Sequence, residues 1–133
     1  MKEAELLEYL KKNDFDKKYQ KLVKKLKDKK VIVYGTGLMF QVIKKNYDLG
    51  AFNIIGISDM KYPLEEEGLI EEGYKKIPRE KIAEYEPDIV LVAAQNYFPI
   101  IENFVLQLFK DTKILFIPFV SADFRELLFK IWG

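Results

Sequence analysis

The chain alternates between short apolar runs and longer segments whose apolar residues recur with helical spacing. Residues 31–34, 53–59, 88–94 and 113–117 are apolar runs rich in β-branched side chains, which is typical of strands buried on both faces of a sheet. Residues 74–77 indicate a further short edge strand. Because segments with helical spacing separate these runs, the pattern predicts a mostly parallel sheet covered by helices.

Two amphipathic helices are predicted ahead of the first strand. In segment 2–12, Leu6, Leu7 and Leu10 lie on one side. Asn13 and Asp14 interrupt this helix, and their side chains are suited to cap the next one. The apolar residues of the second helix recur at i, i+4, i+7, i+8 and i+11, with lysines opposite. They are Phe15, Tyr19, Leu22, Val23 and Leu26.

The remaining helices follow the first, third, fourth and fifth predicted strands. One starts after Gly37 and ends before Gly50, whose type suits a left-handed cap, and a brief one starts at Pro78. Residues 60–72 are rich in charged residues, Pro and Gly, so we expect a loop there, placed as a lid over the carboxyl ends of the strands. Residues 100–109 and 124–132 predict two further helices with wide apolar faces.

This order of elements predicts an α/β fold, a three-layer Rossmann-like sandwich with a mostly parallel sheet of four or five strands. We expect one domain over residues 1–133. Residues 1–28 form a helical N-terminal extension, residues 29–118 the nucleotide-binding core, and residues 119–133 a C-terminal helix. A chain of 133 residues is long enough for one hydrophobic core.

The composition restricts the chemistry that this chain can perform. It contains no cysteine and no histidine, so it lacks thiolate nucleophiles, the commonest general base and the commonest metal ligands. Catalysis would rest on Asp, Glu, Lys or Tyr, and no constellation of these residues is evident. We therefore predict no metal site and favour a protein that is not an enzyme.

The charges are distributed unevenly along the chain. Residues 1–30 hold 11 lysines and 6 acids, whereas residues 61–90 hold 5 basic and 9 acidic residues. The N-terminal lysines are interspersed with acids and lack exposed aromatic neighbours, so we interpret them as solvated and predict no nucleic-acid partner. No apolar run reaches the length of a membrane span and no signal peptide is evident, so we predict no membrane insertion and a cytoplasmic location.

A turn with two glycines joins the first predicted strand to the helix after it. Gly35, Thr36 and Gly37 let a phosphate approach the backbone, and the amides of the next residues point at it with the positive end of the helix dipole. Those residues are Leu38, Met39 and Phe40. Phe40 occupies the position where dinucleotide-binding folds carry a third glycine for close helix–strand packing. A tight turn without a ligand is the alternative interpretation.

Other polar residues are predicted at the same edge of the sheet. Asp59 ends the second strand, where dinucleotide-binding folds place the acid that accepts hydrogen bonds from ribose; its alternative role is to cap the following turn. Lys61 can meet a phosphate or remain solvated. Gln95 and Asn96 offer amides to a sugar or base, although Asn96 is equally suited to be a helix N-cap.

The layout of these segments resembles a known family. Residues 30–37, 54–59, 74–78 and 86–94 are similar in order and spacing to the N-terminal nucleotide-sugar-binding domain of sugar O-acyltransferases of the sialic acid and bacillosamine type. They also resemble the Rossmann-like domains of polysaccharide-biosynthesis dehydratases and sugar C-methyltransferases. The resemblance implies that Gly35, Gly37 and Asp59 lie against a nucleotide sugar. The chain departs from the family at Phe40 and shows no hexapeptide repeats.

Three functional hypotheses follow. The first is a non-catalytic module that binds a nucleotide or nucleotide sugar, either a UDP-sugar or NAD(P), beside a partner enzyme of surface-glycan biosynthesis. The second is an NAD(P)-dependent oxidoreductase or epimerase, disfavoured because neither Tyr85 nor Tyr97 is followed by Lys at i+4. The third is a scaffold without a ligand, which forms homo-oligomers or binds a partner through the helix from Ile100 to Phe109 or the helix from Phe124 to Trp132.

Overall fold

Six strands and three α-helices make up the part of the chain that the structure, a computed structural model, describes, residues 2–94 and 112–120. The helices are α1 (Glu3–Lys12), α2 (Phe15–Lys25) and α3 (Leu38–Asn46), and 3₁₀ turns span Leu49–Ala51, Leu64–Glu66 and Arg79–Tyr85. The strands are β1 (Lys30–Tyr34), β2 (Asn53–Asp59), β3 (Ile70–Glu71), β4 (Tyr74–Pro78), β5 (Ile89–Val92) and β6 (Leu115–Pro118).

The strands form one sheet in the order β3-β4-β2-β1-β5-β6. Every neighbouring pair is parallel except β3 and β4. The chain runs outward from β1 to β2 and β4, then returns to β5 on the other side of β1. This reversal beside the first strand is the arrangement of Rossmann-like folds, and it confirms the predicted fold class.

The sheet has one strand more than the sequence predicts, because part of the expected loop pairs with β4. Glu72 and Gly73 both have positive φ, 58° and 85°, as a tight hairpin turn requires. This turn lets Ile70–Glu71 run antiparallel to β4. Two residues are too few to show an alternating pattern, so the sequence analysis misses the strand. The segment predicted as an edge strand is therefore second from the edge.

Alternate residues of β1 face two separate hydrophobic clusters. Val31 and Val33 belong to the cluster on the first face of the sheet, together with buried residues of α1, α2 and α3. Ile32 and Tyr34 belong to the cluster on the second face, where Ile82 of the 3₁₀ turn Arg79–Tyr85 is fully buried. All four side chains are buried, as expected for a central parallel strand.

The helical pair α1–α2 packs against the first face of the sheet. Leu6 and Leu10 of α1 are completely or almost completely buried, and Phe15 and Tyr19 of α2 join a set of aromatic rings. The Tyr19 hydroxyl donates a hydrogen bond to the Asp48 carbonyl at 2.7 Å. Ring centroids in this set are 4.9–6.2 Å apart. Its members are Phe15, Tyr19, Tyr47, Phe52 and Phe119.

Two predictions about helix ends are wrong. Asp14 stands at the N-cap of α2 with φ of 62°, and its side chain makes no capping hydrogen bond. Gly50 does not adopt a left-handed conformation; it lies in a 3₁₀ turn, where its amide donates to the Asp48 carboxylate at 2.9 Å. The helix α3 ends earlier, since Tyr47 is extended. The predicted residues Gln95 and Asn96, and the predicted helices 100–109 and 124–132, lie outside the described residues.

We expect Leu10→Ala to lower the free energy of unfolding by about 2–5 kcal/mol, because Leu10 is completely buried between α1 and the rest of the core. Glu8→Ala, on the exposed side of the same helix, serves as the control and should change it by less than about 0.5 kcal/mol. Urea denaturation measures both. If the two variants are equally stable, α1 is not part of the cooperative core.

Candidate functional site

The turn between β1 and α3 lies where the strand order reverses. Gly35 has φ of +103°, and a Cβ there would stand 2.7 Å from the carbonyl oxygen of Ala93, just beyond β5. Its amide donates to the Ser58 carbonyl of β2 at 2.8 Å. Glycine is therefore required at position 35 for two reasons. Its backbone has a positive φ, and a Cβ would collide with the chain just beyond β5.

Thr36 and Asp59 form the strongest polar contact of this turn. The Thr36 amide and hydroxyl donate to the same oxygen, Asp59 Oδ2, at 2.9 and 2.8 Å. The other oxygen, Oδ1, accepts from the amide of Lys61 at 3.1 Å. Asp59 thus holds the turn in place and also caps the loop that follows β2. Each oxygen of an ionised carboxylate has more than one acceptor site, so capacity remains for a further donor.

The N-terminus of α3 presents unpaired amides. Gly37 is the exposed N-cap residue, and the first hydrogen bond of the helix runs from the Gln41 amide to the Gly37 carbonyl at 3.1 Å. Among the described residues, the amides of Leu38, Met39 and Phe40 have no acceptor. No described atom lies within 4 Å of the position that a Gly37 Cβ would take. Such a helix start, with the dipole behind it, favours an anion.

The side chains after Gly37 do not face the turn. Met39 and Phe40 are buried in the cluster on the first face, and Leu38 is half-buried against it. The Phe40 ring therefore packs between α3 and the sheet and leaves the space at Gly37 unfilled. These three residues can reach a ligand only through their amides, and their assignment to a binding site stays a prediction.

A segment that we name the flap, residues 60–73, covers the neighbouring end of the sheet. Within it, Tyr62 is buried and donates a hydrogen bond from its hydroxyl to Glu71, and the Thr36 side chain is close enough to this hydroxyl to influence its pKa. Burial, helped by the bond to Glu71, raises the pKa of Tyr62. The phenol consequently remains a donor at neutral pH, and it connects the flap directly to the glycine turn.

Ion pairs and hydrogen bonds fix the rest of the flap. Glu66 accepts from Lys76 Nζ at 2.7 Å, and Glu67 accepts from the Tyr85 hydroxyl at 2.7 Å, which raises the pKa of Tyr85 to about 12. Glu72 pairs with Lys44 of α3, and the hydrogen bond from this ammonium lowers the pKa of the Glu72 carboxyl. These contacts attach the flap to the second face and to α3.

Lys61 is exposed at the start of the flap, with its ammonium 5.9 Å from the centroid of the Tyr62 ring. Through Asp59, the structure brings the backbone of Lys61 close to Thr36 in the glycine turn. The role of Lys61 as a phosphate ligand stays a prediction.

A polar group that was not predicted from the sequence lies on the second face of the sheet beneath the turn, and it consists of Tyr34, Arg79 and Ser58. Tyr34 is buried, which raises the pKa of its phenol, and it shares a hydrogen bond with Arg79, which follows β4. Ser58, opposite Tyr34 in the neighbouring strand, is fully buried, and its hydroxyl has no hydrogen-bond partner within residues 2–94 and 112–120. The available signal was an arginine directly after a strand, at the same edge as Asp59.

No group of three Asp or Glu side chains suited to a metal ion occurs within residues 2–94 and 112–120. A cleft of about 540 Å³ lies at the amino ends of β1, β5 and β6, where Lys29, Asp88 and Thr112 contribute to its lining. It is therefore separate from the glycine turn. No helix in the described part of the chain is long and apolar enough to span a bilayer.

A family model described as C2185-like, N-terminal, matches residues 27–115 of this chain. The match covers more than half of the 133 residues. The chain belongs to this family. The matched residues of the C2185-like chain include β1, the glycine turn, Asp59 and the flap, whereas α1 and α2 precede them.

The C2185-like chain is also similar to solved structures of RSP, and no match is found among the curated proteins. In complex with β-NAD⁺ and operator DNA, RSP shows 19% identity and a TM-score of 0.46, with 88% of this chain and 62% of RSP covered. In complex with β-NADH, the values are 17%, 0.43, 90% and 69%. The C2185-like chain thus spans less than two thirds of the first RSP chain. The fold is therefore assigned from the order of the strands in this chain's own sheet, β3-β4-β2-β1-β5-β6.

These comparisons correct the prediction that excluded a nucleic-acid partner, because a structure similar to this chain contains operator DNA. That exclusion counted lysines and acids along the sequence. In the structure, α2 directs its apolar side chains inward and leaves its lysines together on the exposed side. Interspersed acids in the sequence are therefore no measure of how the charges are arranged on the surface.

We expect Thr36→Val to lower the free energy of unfolding by about 1–3 kcal/mol, because it leaves Asp59 without its hydroxyl donor in a half-buried site. Thr36→Ser keeps the hydroxyl and should cost less than about 1 kcal/mol. Urea denaturation at neutral pH measures both variants. Equal losses for Val and Ser would contradict the assigned role of this hydrogen bond.

Proposed function

We propose that this chain is a non-catalytic module that binds a nucleotide through its phosphate groups at the turn from Gly35 to Gly37. The observation that carries the proposal is the group of amides at the exposed start of α3 that have no acceptor among the described residues. A phosphate placed there accepts hydrogen bonds from the backbone and interacts with the positive end of the helix dipole. No side-chain cation is required at the turn itself.

Contacts within the protein alone hold the turn in place, which supports its use as a binding site. Gly35 is held by β2, and Thr36 is held by Asp59. Binding therefore does not have to order these residues, and the conformational entropy cost is small. The Asp59 carboxylate is directed at Thr36 and Lys61, and its remaining acceptor sites suit the hydroxyls of a ribose.

Two ligand classes fit this pattern of a phosphate site beside a carboxylate. A nucleotide sugar is the one implied by the resemblance to sugar O-acyltransferase domains, and it would place the chain in surface-glycan biosynthesis beside a partner enzyme. NAD(P)(H) carries the same pyrophosphate and ribose groups. We propose the nucleotide sugar as the physiological ligand and keep NAD(H), which the RSP structures contain, as the competing class.

The absence of histidine and cysteine supports a binding role and not a catalytic one. The tyrosines near the turn, Tyr34 and Tyr62, have raised pKa values, so neither is poised to act as a general base at neutral pH. Both hydroxyls are already engaged in hydrogen bonds. The module would supply a bound nucleotide for chemistry carried out elsewhere.

A thermal-shift panel with UDP-sugars, NAD⁺, NADH and NADP⁺ tests the proposal. At about 100 times its dissociation constant, the correct ligand should add about 2.7 kcal/mol of stability. Gly37→Val should remove this shift, because the added methyl groups occupy the space in front of the amides. Without ligand, this variant should unfold within a few degrees of the parent, since no described atom opposes the new side chain.

Gly35→Val is the matched comparison. It introduces the same side chain at a positive φ and against the Ala93 carbonyl, so it should lower the melting temperature without ligand. A parent that responds to none of the panel at millimolar concentration would contradict the proposal. So would a Gly37→Val variant that responds like the parent.

A further inference from the structure

The exposed side of α2 and the turn that follows it carry a continuous group of lysines, which we name the lysine face. From residue 17 to residue 27 the sequence contains six lysines and no acid. All six are exposed, and none of them makes a salt bridge within the described part of the chain. The members are Lys17, Lys18, Lys21, Lys24, Lys25 and Lys27. From this arrangement we propose that the lysine face binds the phosphate backbone of a nucleic acid.

The fold separates these lysines from the apolar side of the helix. Lys17, Lys21 and Lys24 recur at i, i+4 and i+7, which places them along one line of the helix surface. On the opposite side, Phe15 and Tyr19 are buried in the aromatic set on the first face of the sheet. Because this packing fixes the rotation of α2, the lysines form a stationary array and not a flexible tail.

The dimensions of the array suit a nucleic-acid backbone. Five of the six lysines lie between residues 17 and 25, a length of about 12 Å at ~1.5 Å per residue. Each strand of duplex DNA carries one negative charge per ~3.4 Å of helix axis, so a backbone lying along this length of α2 presents about three to four phosphates to the five lysines. Neutralising several phosphates releases bound counterions, which supplies the free energy of association.

A membrane or a protein partner fits this surface less well. A helix that lies on a membrane inserts apolar side chains, and the centre of a protein interface is usually apolar. None of the exposed large hydrophobic residues in the described part of the chain lies on α2; the nearest in sequence is Tyr9 of α1. A phosphate backbone, in contrast, needs only cations.

The type of residue on the lysine face determines the type of binding. It carries no arginine, the residue that most often reads guanine edges through two hydrogen bonds, and lysine acts mainly as a point charge towards phosphate. Binding should therefore be independent of sequence and strongly dependent on salt. This inference does not depend on the proposed nucleotide site, since α2 and the glycine turn are different surfaces.

Fluorescence anisotropy of a labelled 20-base-pair duplex with the full chain tests the inference. At 50 mM salt we expect binding in the micromolar range, with two unrelated sequences bound equally well. The logarithm of the binding constant should fall linearly with the logarithm of the salt concentration, with a slope of about −3 to −5 for three to five phosphate contacts.

Lys21→Glu with Lys24→Glu should weaken binding at least tenfold and reduce the slope by about 2. The control is Lys75→Glu with Lys113→Glu, two exposed lysines away from α2. Both variants change the net charge by −4, and the control should weaken binding less than threefold. Circular dichroism and the melting temperature confirm that both variants fold.

Three results would overturn the inference. The first is an equal loss of binding for the two variants, which would reflect net charge alone. The second is no binding by the parent at 50 mM salt. The third is sedimentation of the parent with vesicles that contain about 30% anionic lipid when it does not bind the duplex. The shift caused by a nucleotide in the Lys21→Glu, Lys24→Glu variant reports separately on the glycine turn.

Discussion

The Asp59 carboxylate, bonded to both the amide and the hydroxyl of Thr36, is the contact on which the candidate site depends. It joins the end of β2 to the turn after β1, so that these two neighbouring strands together fix the backbone conformation of the glycine turn. Gly35 makes the join sterically feasible, because it is the residue between the Ser58 and Ala93 carbonyls. The consequence is that the exposed start of α3 presents amides that have no acceptor in the part of the chain that the structure describes.

The rest of the fold supports this arrangement from both sides. On the first face, Phe40 anchors α3 in the same cluster that contains Leu6 and Leu10, so the helical pair α1–α2 indirectly holds the direction of α3. On the other side, the flap contacts the turn through Tyr62 and contacts α3 through the Glu72–Lys44 ion pair. A ligand at the turn would therefore act on residues that also hold the flap.

Much of this architecture could be predicted from sequence, because it follows from local patterns. The runs at β1, β2 and β5, the helix after Gly37 and the buried side of α2 all follow from apolar spacing. Capping of the following turn by Asp59 was among the sequence-based expectations, but its contact with Thr36 could not be predicted, since it joins residues 23 positions apart. For the same reason the pairing of Tyr62 with Glu71 and the strand β3 have no signal in the sequence alone. The Tyr34–Arg79 contact has only a weak one, the position of the arginine directly after a strand. The run of six lysines without an acid from residue 17 to residue 27 is visible in the sequence, but only the packing of α2 shows that these lysines lie on its exposed side.

The most direct measurement is an amide NMR titration of the ¹⁵N-labelled chain with the best ligand of the nucleotide panel, with inorganic pyrophosphate as a second probe. We expect saturable amide chemical-shift changes at Gly37, Leu38, Met39 and Phe40, accompanied by changes at Thr36 and Tyr62. Shifts confined to the cleft beside Lys29 and Asp88, or no saturable shift at the start of α3, would contradict it.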